Sequence, residues 1–316
     1  MIGSRWMGDS SRSYLRSDRE GRGHGEESSP LEVTGLTEVG SARAVNEDAF
    51  LVLPLRNVSR GESMAWPGGG GGDSPSMGVP DCILAVADGL GGAPAGERAS
   101  WIAIQALHRH IEALLPRLAM ARRRKREIFG SLKWIARECH REIESDLNGH
   151  PERVGMGTTL TAALVLWPKV YGIHVGDSRC YHYRHRRLEV LTVDHTVSQQ
   201  LADLGMPSAK VIPPSRWRNT LWNVIGGRSS SHAPNRFSVD LRPGDVLLLA
   251  TDGVTDAIPD GRLESLLAKG GGSEEICDRL IRAARERDGK DDRTVVCACF
   301  GRSGVWPRIR RFLFGG

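Results

Sequence analysis

The sequence predicts an α+β fold in which antiparallel sheets pack against each other and helices cover their outer faces. Three observations lead there. Four apolar, strand-like runs crowd together between residues 158 and 192, joined by connections too short for crossover helices. Two long amphipathic stretches stand ahead of them. Strands followed by helices then recur without the strict alternation of a parallel sheet. The 316 residues suffice for one large domain or two small ones with an ample core, and 40% apolar with 26% charged residues is ordinary for a soluble globular protein.

Residues 1–30 are rich in Ser, Arg, Gly and Glu and poor in apolar residues, which predicts a disordered arm. The globular domain is expected over 31–301. "AFLVLPL" at 49 and "CILAVA" at 82 read as strands, and 66–80, with five consecutive glycines, reads as a loop inserted between them. "ERASWIAIQALHRHIEALL" puts Ile104, Leu107, Ile111, Leu114 and Leu115 on one helical face, and "REIFGSLKWIARECHREIESDL" does the same with Ile128, Leu132, Ile135, Cys139 and Ile143. Both should cover a sheet.

The strands "TTLTAALVLW", "KVYGIHVG", "CYHYR" and "LEVLT" follow, and turns such as Gly176-Asp177-Ser178-Arg179 predict hairpins between neighbours. A short helix is expected over Val197–Leu204, then an irregular stretch with Pro and Trp to about Arg236. A strand "DVLLLAT", a helix near Leu263–Leu267, a helix "SEEICDRLIRAARER" and a strand "RTVVCACF" complete the domain, leaving 302–316 as a short basic tail.

The net charge of +5 resides largely in Arg122, Arg123, Arg124, Lys125, Arg126, Arg308, Arg310, Arg311 and the Arg-rich start, which read as solvated surface. "ARRRKRE" lacks the interleaved aromatics of a nucleic-acid platform, so no nucleic-acid partner is expected. Cys82, Cys139, Cys180, Cys277, Cys297 and Cys299 show no zinc-type spacing and read as small buried hydrophobes of a reducing compartment. Cys297 and Cys299, two apart on a strand, should share a face. No apolar run is long enough to span a membrane and the start lacks the apolar centre of a signal peptide, so a cytoplasmic protein is expected.

Acidic residues mark the ends of five apolar runs. Asp88 ends "LAVADGLGG", Asp177 ends "YGIHVGDSR" and Asp252 ends "VLLLATDGVTD"; Asp291 and Asp292 precede "RTVV", and Glu47 and Asp48 precede "AFLVLPL". Alone, Asp88-Gly89 is an ordinary turn signal. Five such clusters at strand ends of one sandwich would repel one another unless cations neutralised them. Oxygen-only ligands without nearby His or Cys select Mg²⁺ or Mn²⁺. Such a site suits phosphoryl chemistry. Arg43, four residues before Glu47, can supply a guanidinium fork for phosphate oxygens.

"RAVNEDA", "VADGLGGAPAGERAS", "GMGTTLTAAL", "VGDSRCYHYR", "LTVDHTVSQQL", "RNTLWNVIGG", "LRPGDVLLLATDGVTDAI" and "KDDRTVV" resemble, in sequence and order, the metal-dependent protein phosphatases of type 2C, especially the compact bacterial members that oppose Ser/Thr kinases. The resemblance implies a four-layer αββα sandwich with two Mn²⁺ or Mg²⁺ ions at one end. It makes Asp88 the bridge between the ions and the Gly89 carbonyl a ligand of one. Asp252 and Asp291 complete the other shell, Glu47 and Asp48 act directly or through waters, and Arg43 takes the phosphate. Asp177 lies near a third, weaker metal position. Residues 205–227 become a flap beside the site.

The implied reaction is direct hydrolysis of phosphoserine or phosphothreonine by a metal-bound hydroxide, without a phosphoenzyme. Phosphoprotein substrates, a cognate Ser/Thr kinase and a monomeric state are expected. A catalytically inactive relative serving as a regulatory or phosphoprotein-binding module is the alternative; the presence of Asp88, Gly89, Asp252 and Asp291 argues against it. Three departures stand out. Leu90 occupies the place where animal members carry a proposed general acid, His. Ala93-Pro94 replaces the usual bacterial His, and Asp292 replaces the usual Asn, where it could tighten metal binding or pair with Arg293 or Lys290.

Overall fold

The computed structural model describes residues 12–16, 31–55, 81–91, 95–121, 124–148, 150, 153, 155–205, 220–227 and 233–301. The inserted loop at 66–80 and the basic tail at 302–316 lie outside the described residues, as do residues 206–219 of the expected flap.

The elements run β1 (Arg12–Arg16), β2 (Leu31–Glu38), β3 (Asp48–Pro54), β4 (Cys82–Leu90), α1 (Ala95–Ala121), α2 (Lys125–Asn148), β5 (Gly157–Thr158), β6 (Leu160–Leu166), β7 (Lys169–Val175), β8 (Arg179–Arg184) and β9 (Arg187–Val190). Then come α3 (Val197–Asp203), β10 (Ile225–Gly226), β11 (Asn235–Asp240), β12 (Val246–Ala250), α4 (Asp252–Thr255), α5 (Asp260–Leu267), α6 (Ser273–Asp288) and β13 (Arg293–Phe300). One sheet has the order β1-β2-β13-β12-β8-β9; the other runs β10-β5-β4-β6-β7-β11, with β3 paired to the free side of β4. Every pairing is antiparallel.

Three apolar cores separate four layers. One lies between α1, α2 and the second sheet, around Leu107, Ile111, Leu132 and Ile173. A second lies between the first sheet and α4–α6, around Leu248, Leu263 and Leu280. The third fills the space between the sheets, with Leu84, Val165, Leu249 and Phe300. This is the αββα sandwich that the resemblance implies. The predicted faces of both long helices pack on the core, with Leu107, Ile111, Ile128, Leu132, Ile135, Cys139 and Ile143 fully enclosed and Leu114 and Leu115 partly buried. α1 continues past Pro116 because Leu118 beyond it is buried too, and that packing outweighs the one backbone bond a proline removes.

Four departures from expectation are instructive. Arg12–Arg16 form an edge strand on β2, not part of a disordered arm. β2 itself, "LEVTGLTE", goes unflagged because Thr and Gly dilute its apolar run. β11 begins at the end of the stretch expected to be irregular and runs where no element is expected: only Phe237 of "NRFSVD" is buried, as suits an edge strand with one face in solvent.

The fourth departure matters for the site. Gly176–Arg179 is not a hairpin, because β7 and β8 belong to different sheets. The turn crosses from one sheet to the other. Gly176 permits it with a φ of +106°. Ser178 then anchors it to the second sheet, its Oγ 2.8 Å from Thr159 Oγ1 and its carbonyl accepting from Thr161 Oγ1 at 3.0 Å.

Candidate metal centre

Strand pleating decides where the acids end. In β4, Ile83, Ala85 and Ala87 face the helices, whereas Cys82, Leu84 and Val86 face the other sheet. Asp88 continues the second series and so terminates the inter-sheet core. The same alternation carries Asp48 beyond Val52 and Phe50 on β3, and Thr294 ahead of Val296 and Ala298 on β13. Asp48 and Asp88 are direct cross-strand partners. Like charges so placed are unfavourable without compensation.

The first sheet brings its own acids to the same end. Asp252 opens α4 directly after β12, and Asp291 lies in the turn before β13. Asp292, just before β13, ties this sheet to the other through Glu47 and secures its own sheet through Gly40. The Asp292 carboxylate accepts the Gly40 and Glu47 amides, both at 2.8 Å. Gly40 sits flush on the 290–291 backbone, where a side chain would collide with the Lys290 carbonyl. Asp292 is therefore a backbone clamp. Its two oxygens take amides, not Arg293, which pairs with Glu38 at 3.0 Å.

Burial is the largest influence on the clustered acids. It raises Asp48, Asp88 and Asp177 well above the ordinary carboxylate range, reinforced by the neighbouring acids. Asp252 is pushed up to about 6 by burial and then by Asp291. Its carboxyl also hydrogen-bonds to that of Asp88. Glu47 is raised by burial as well, against the pull of Arg43. Asp256, four residues after Asp252, adds negative charge at both Asp252 and Asp177 and is a member of the cluster not singled out from the sequence.

Three buried carboxylate oxygens, Glu47 Oε1, Asp48 Oδ1 and Asp252 Oδ1, have no hydrogen-bond partner among the described residues. Unpaired buried oxygens are costly, and a hard cation is a group that would satisfy oxygens of this kind. Gly89 fits the same reading: its amide donates to the Glu47 carbonyl at 3.1 Å, and a side chain there would strike the Gly96 carbonyl. Gly96 in turn makes room for Glu47, whose Cδ lies 2.8 Å from where a Cβ would stand. The donor set is all oxygen, as Mg²⁺ or Mn²⁺ requires.

Arg43 lies at the mouth, with its side chain 36% exposed. Its fork is engaged: NH1 donates to Glu47 at 3.0 Å, while Nε and NH2 donate to Asp291 at 2.8 and 2.6 Å. The arginine thus bridges acids of the two sheets, a placement its spacing from Glu47 only half predicts. Asp177, on the turn that crosses between sheets, faces Asp252 and Asp256. Leu90 pairs with Gly157 in the ladder and presents no proton donor. All six cysteines are buried and free, and Cys297 and Cys299 share a face with their sulfurs 3.9 Å apart.

Acids from both sheets of an αββα sandwich thus gather at one end of its inter-sheet core, an all-oxygen set of the kind that hard divalent cations take. Residues 78–292 match the protein phosphatase 2C family, and the chain belongs to it. It is 33% identical over 217 residues to the serine/threonine phosphatase stp of Listeria welshimeri, covering 68% of this chain and 82% of that one. The serine/threonine protein phosphatase PstP of Mycobacterium tuberculosis is also 33% identical over 217 residues, 68% of this chain but 40% of that longer protein. The catalytic domain of PstP solved in complex with two manganese ions overlays with a TM-score of 0.63 at 28% identity, covering 86% of this chain and 99% of that one.

Proposed function

We propose that this chain hydrolyses phosphoserine and phosphothreonine in proteins, using two Mn²⁺ or Mg²⁺ ions, with Asp177 beside a third. The observation that carries the reading is the mutual crowding of the Asp48, Asp88, Asp177 and Asp252 carboxylates at one end of the inter-sheet core, with Arg43 bridging Glu47 and Asp291 beside them. Asp88, Asp252, Asp291 and the Gly89 carbonyl would hold the ions, with Glu47 and Asp48 acting directly or through waters. When bound, such ions neutralise the acids and the phosphate and lower the pKa of a water.

The chain's own residues do the remainder. Arg43 binds phosphate oxygens by exchanging its carboxylate partners for them, a fork-to-oxyanion match of the same geometry. Its position between Glu47 and Asp291 keeps it beside the acids until substrate arrives. Asp292 holds Glu47 and the 40–47 loop in place through backbone amides. Residue 90, a leucine, takes no part in protonating the leaving alkoxide.

The natural substrates are phosphoproteins made by a Ser/Thr kinase. Among the described residues no helix is long and apolar enough to cross a membrane; a monomeric, cytoplasmic enzyme is the form we propose. The test is phosphate release from a phosphothreonine peptide with and without Mn²⁺. Release that needs Mn²⁺ supports the reading, and none under any divalent cation removes it.

A further inference from the structure

The acids of the centre come from two sheets, and a run of hydroxyls joins those sheets where the centre lies. Asp48, on β3 of the second sheet, accepts two hydroxyls from the first at a single oxygen. Thr294 Oγ1 donates to Asp48 Oδ2 at 2.6 Å, and Thr251 Oγ1 donates to the same oxygen at 2.8 Å. Thr294 has spent its proton, so its contact with Thr37 Oγ1 at 2.7 Å must have Thr37 as the donor. Thr37 in turn accepts from Asn46 Nδ2 at 2.8 Å, and Asn46 Oδ1 accepts the Asp48 amide at 3.0 Å. The Thr294 amide closes the remaining gap by donating to Thr251 Oγ1 at 3.0 Å.

The result is a one-way ring, Asn46 to Thr37 to Thr294 to Asp48 and back to Asn46. Each hydroxyl in it donates once and accepts once, an arrangement in which successive bonds strengthen one another. Thr251 and Thr294 are fully enclosed and Thr37 nearly so, and β-branching restricts each side-chain rotamer. All donors converge on Oδ2. Asp48 Oδ1 is left with no partner among the described residues, beside the Asp88 carboxylate across the strand pair.

We propose that Thr37, Thr251 and Thr294 are positioning residues of the metal centre. Thr251 and Thr294 hold one oxygen of Asp48, with Thr37 fixing Thr294 from behind; together they aim the other oxygen into the acid cluster and set the spacing between the sheets that supply the two halves of the ion site. The inference rests on the reading that Asp48 serves divalent cations. Groups that orient a ligand from behind typically account for 10–100-fold in metal affinity or activity.

The experiment is Mn²⁺ titration by calorimetry of the metal-stripped full chain and of three variants, alongside phosphothreonine-peptide kinetics. Thr294→Val should weaken Mn²⁺ binding about 10–100-fold, and Thr294→Ser should restore it to within about threefold of the parent. Thr37→Val touches neither Asp48 nor the acids and should still cost about threefold to tenfold; it decides the question if Thr294→Val does not fold. The kinetic signature is a raised Mn²⁺ requirement with an unchanged peptide KM. A parent chain that binds Mn²⁺ and releases phosphate, with Thr37→Val and any folded Thr294→Val binding Mn²⁺ equally well, overturns this inference alone. A parent that takes up no Mn²⁺ overturns the functional reading and this inference with it.

Discussion

β12 has a carboxylate at each end, and the two are treated in opposite ways. Asp245, just before the strand, is buried but fully served: it accepts Arg184 Nε at 2.8 Å and NH2 at 2.6 Å, His182 Nε2 at 3.0 Å and the Arg242 amide at 2.8 Å. Burial pushes its pKa up, yet Arg184 and His182 outweigh that and hold it down at about 2. Asp252, just after the strand, stands among acids, with one buried oxygen unpartnered and a pKa of about 6. Five residues of apolar strand separate a carboxylate that completes the fold from one that waits for a cation. The difference is in the donors supplied, and burial alone does not reveal it.

If that contrast is right, substitutions at the two ends should fail differently. Asp252→Asn should abolish most phosphate release, by at least about 100-fold. It should leave the metal-free chain at neutral pH as stable as the parent or more so, because it removes a buried charge among like charges. Asp245→Ala should do the reverse, lowering stability by about 2 kcal/mol while the folded fraction keeps its kcat. Thermal melts and specific activity measured on the same samples separate the two. Loss of activity without loss of stability in Asp245→Ala would break the comparison.

Arg43→Ala sharpens it from the mouth of the site. A charged donor to phosphate is worth enough to raise peptide KM about tenfold, with kcat changed less. Unchanged KM and kcat would remove Arg43 from the phosphate.

The smallest expected effect is a pH slope. Asp252 titrates higher in the folded chain than its ordinary value of 3.8, so its contribution to stability is full below that value and is lost as pH rises through about 6. Asp245 titrates lower, so its contribution is full above 3.8 and is lost as pH falls through about 2. The metal-stripped chain should therefore melt at falling temperatures between pH 4 and 7, with a shallower fall in Asp252→Asn. Calorimetric melts across that range check the sign.

The contrast also marks what the sequence could disclose. Asp88, Asp252, Asp48 and Asp291 were legible because each interrupts an apolar run next to Gly or another acid, and pleating then dictates their face. The inner strands β4, β6, β7, β12 and β13 were legible as apolar runs, whereas β2 was not, because Thr and Gly interrupt it. β11 was not, since an edge strand with one buried side chain has little apolar signal. The crossing at Gly176–Arg179 looks like a hairpin in sequence because the same Gly-Asp chemistry serves both kinds of turn. Asp292 is visible in the sequence but its clamp role is not, and the three threonines are not marked at all, because these roles depend on partners more than 200 residues away. A threonine in a strand carries no mark of what its hydroxyl will meet.

The most direct test of the account is phosphate release from a phosphothreonine peptide by the full chain, with Mn²⁺, with EDTA, and with Mn²⁺ restored. Activity that appears with Mn²⁺, disappears on chelation, returns on restoration and is absent from Asp252→Asn is the expected result. Activity that survives chelation would contradict it.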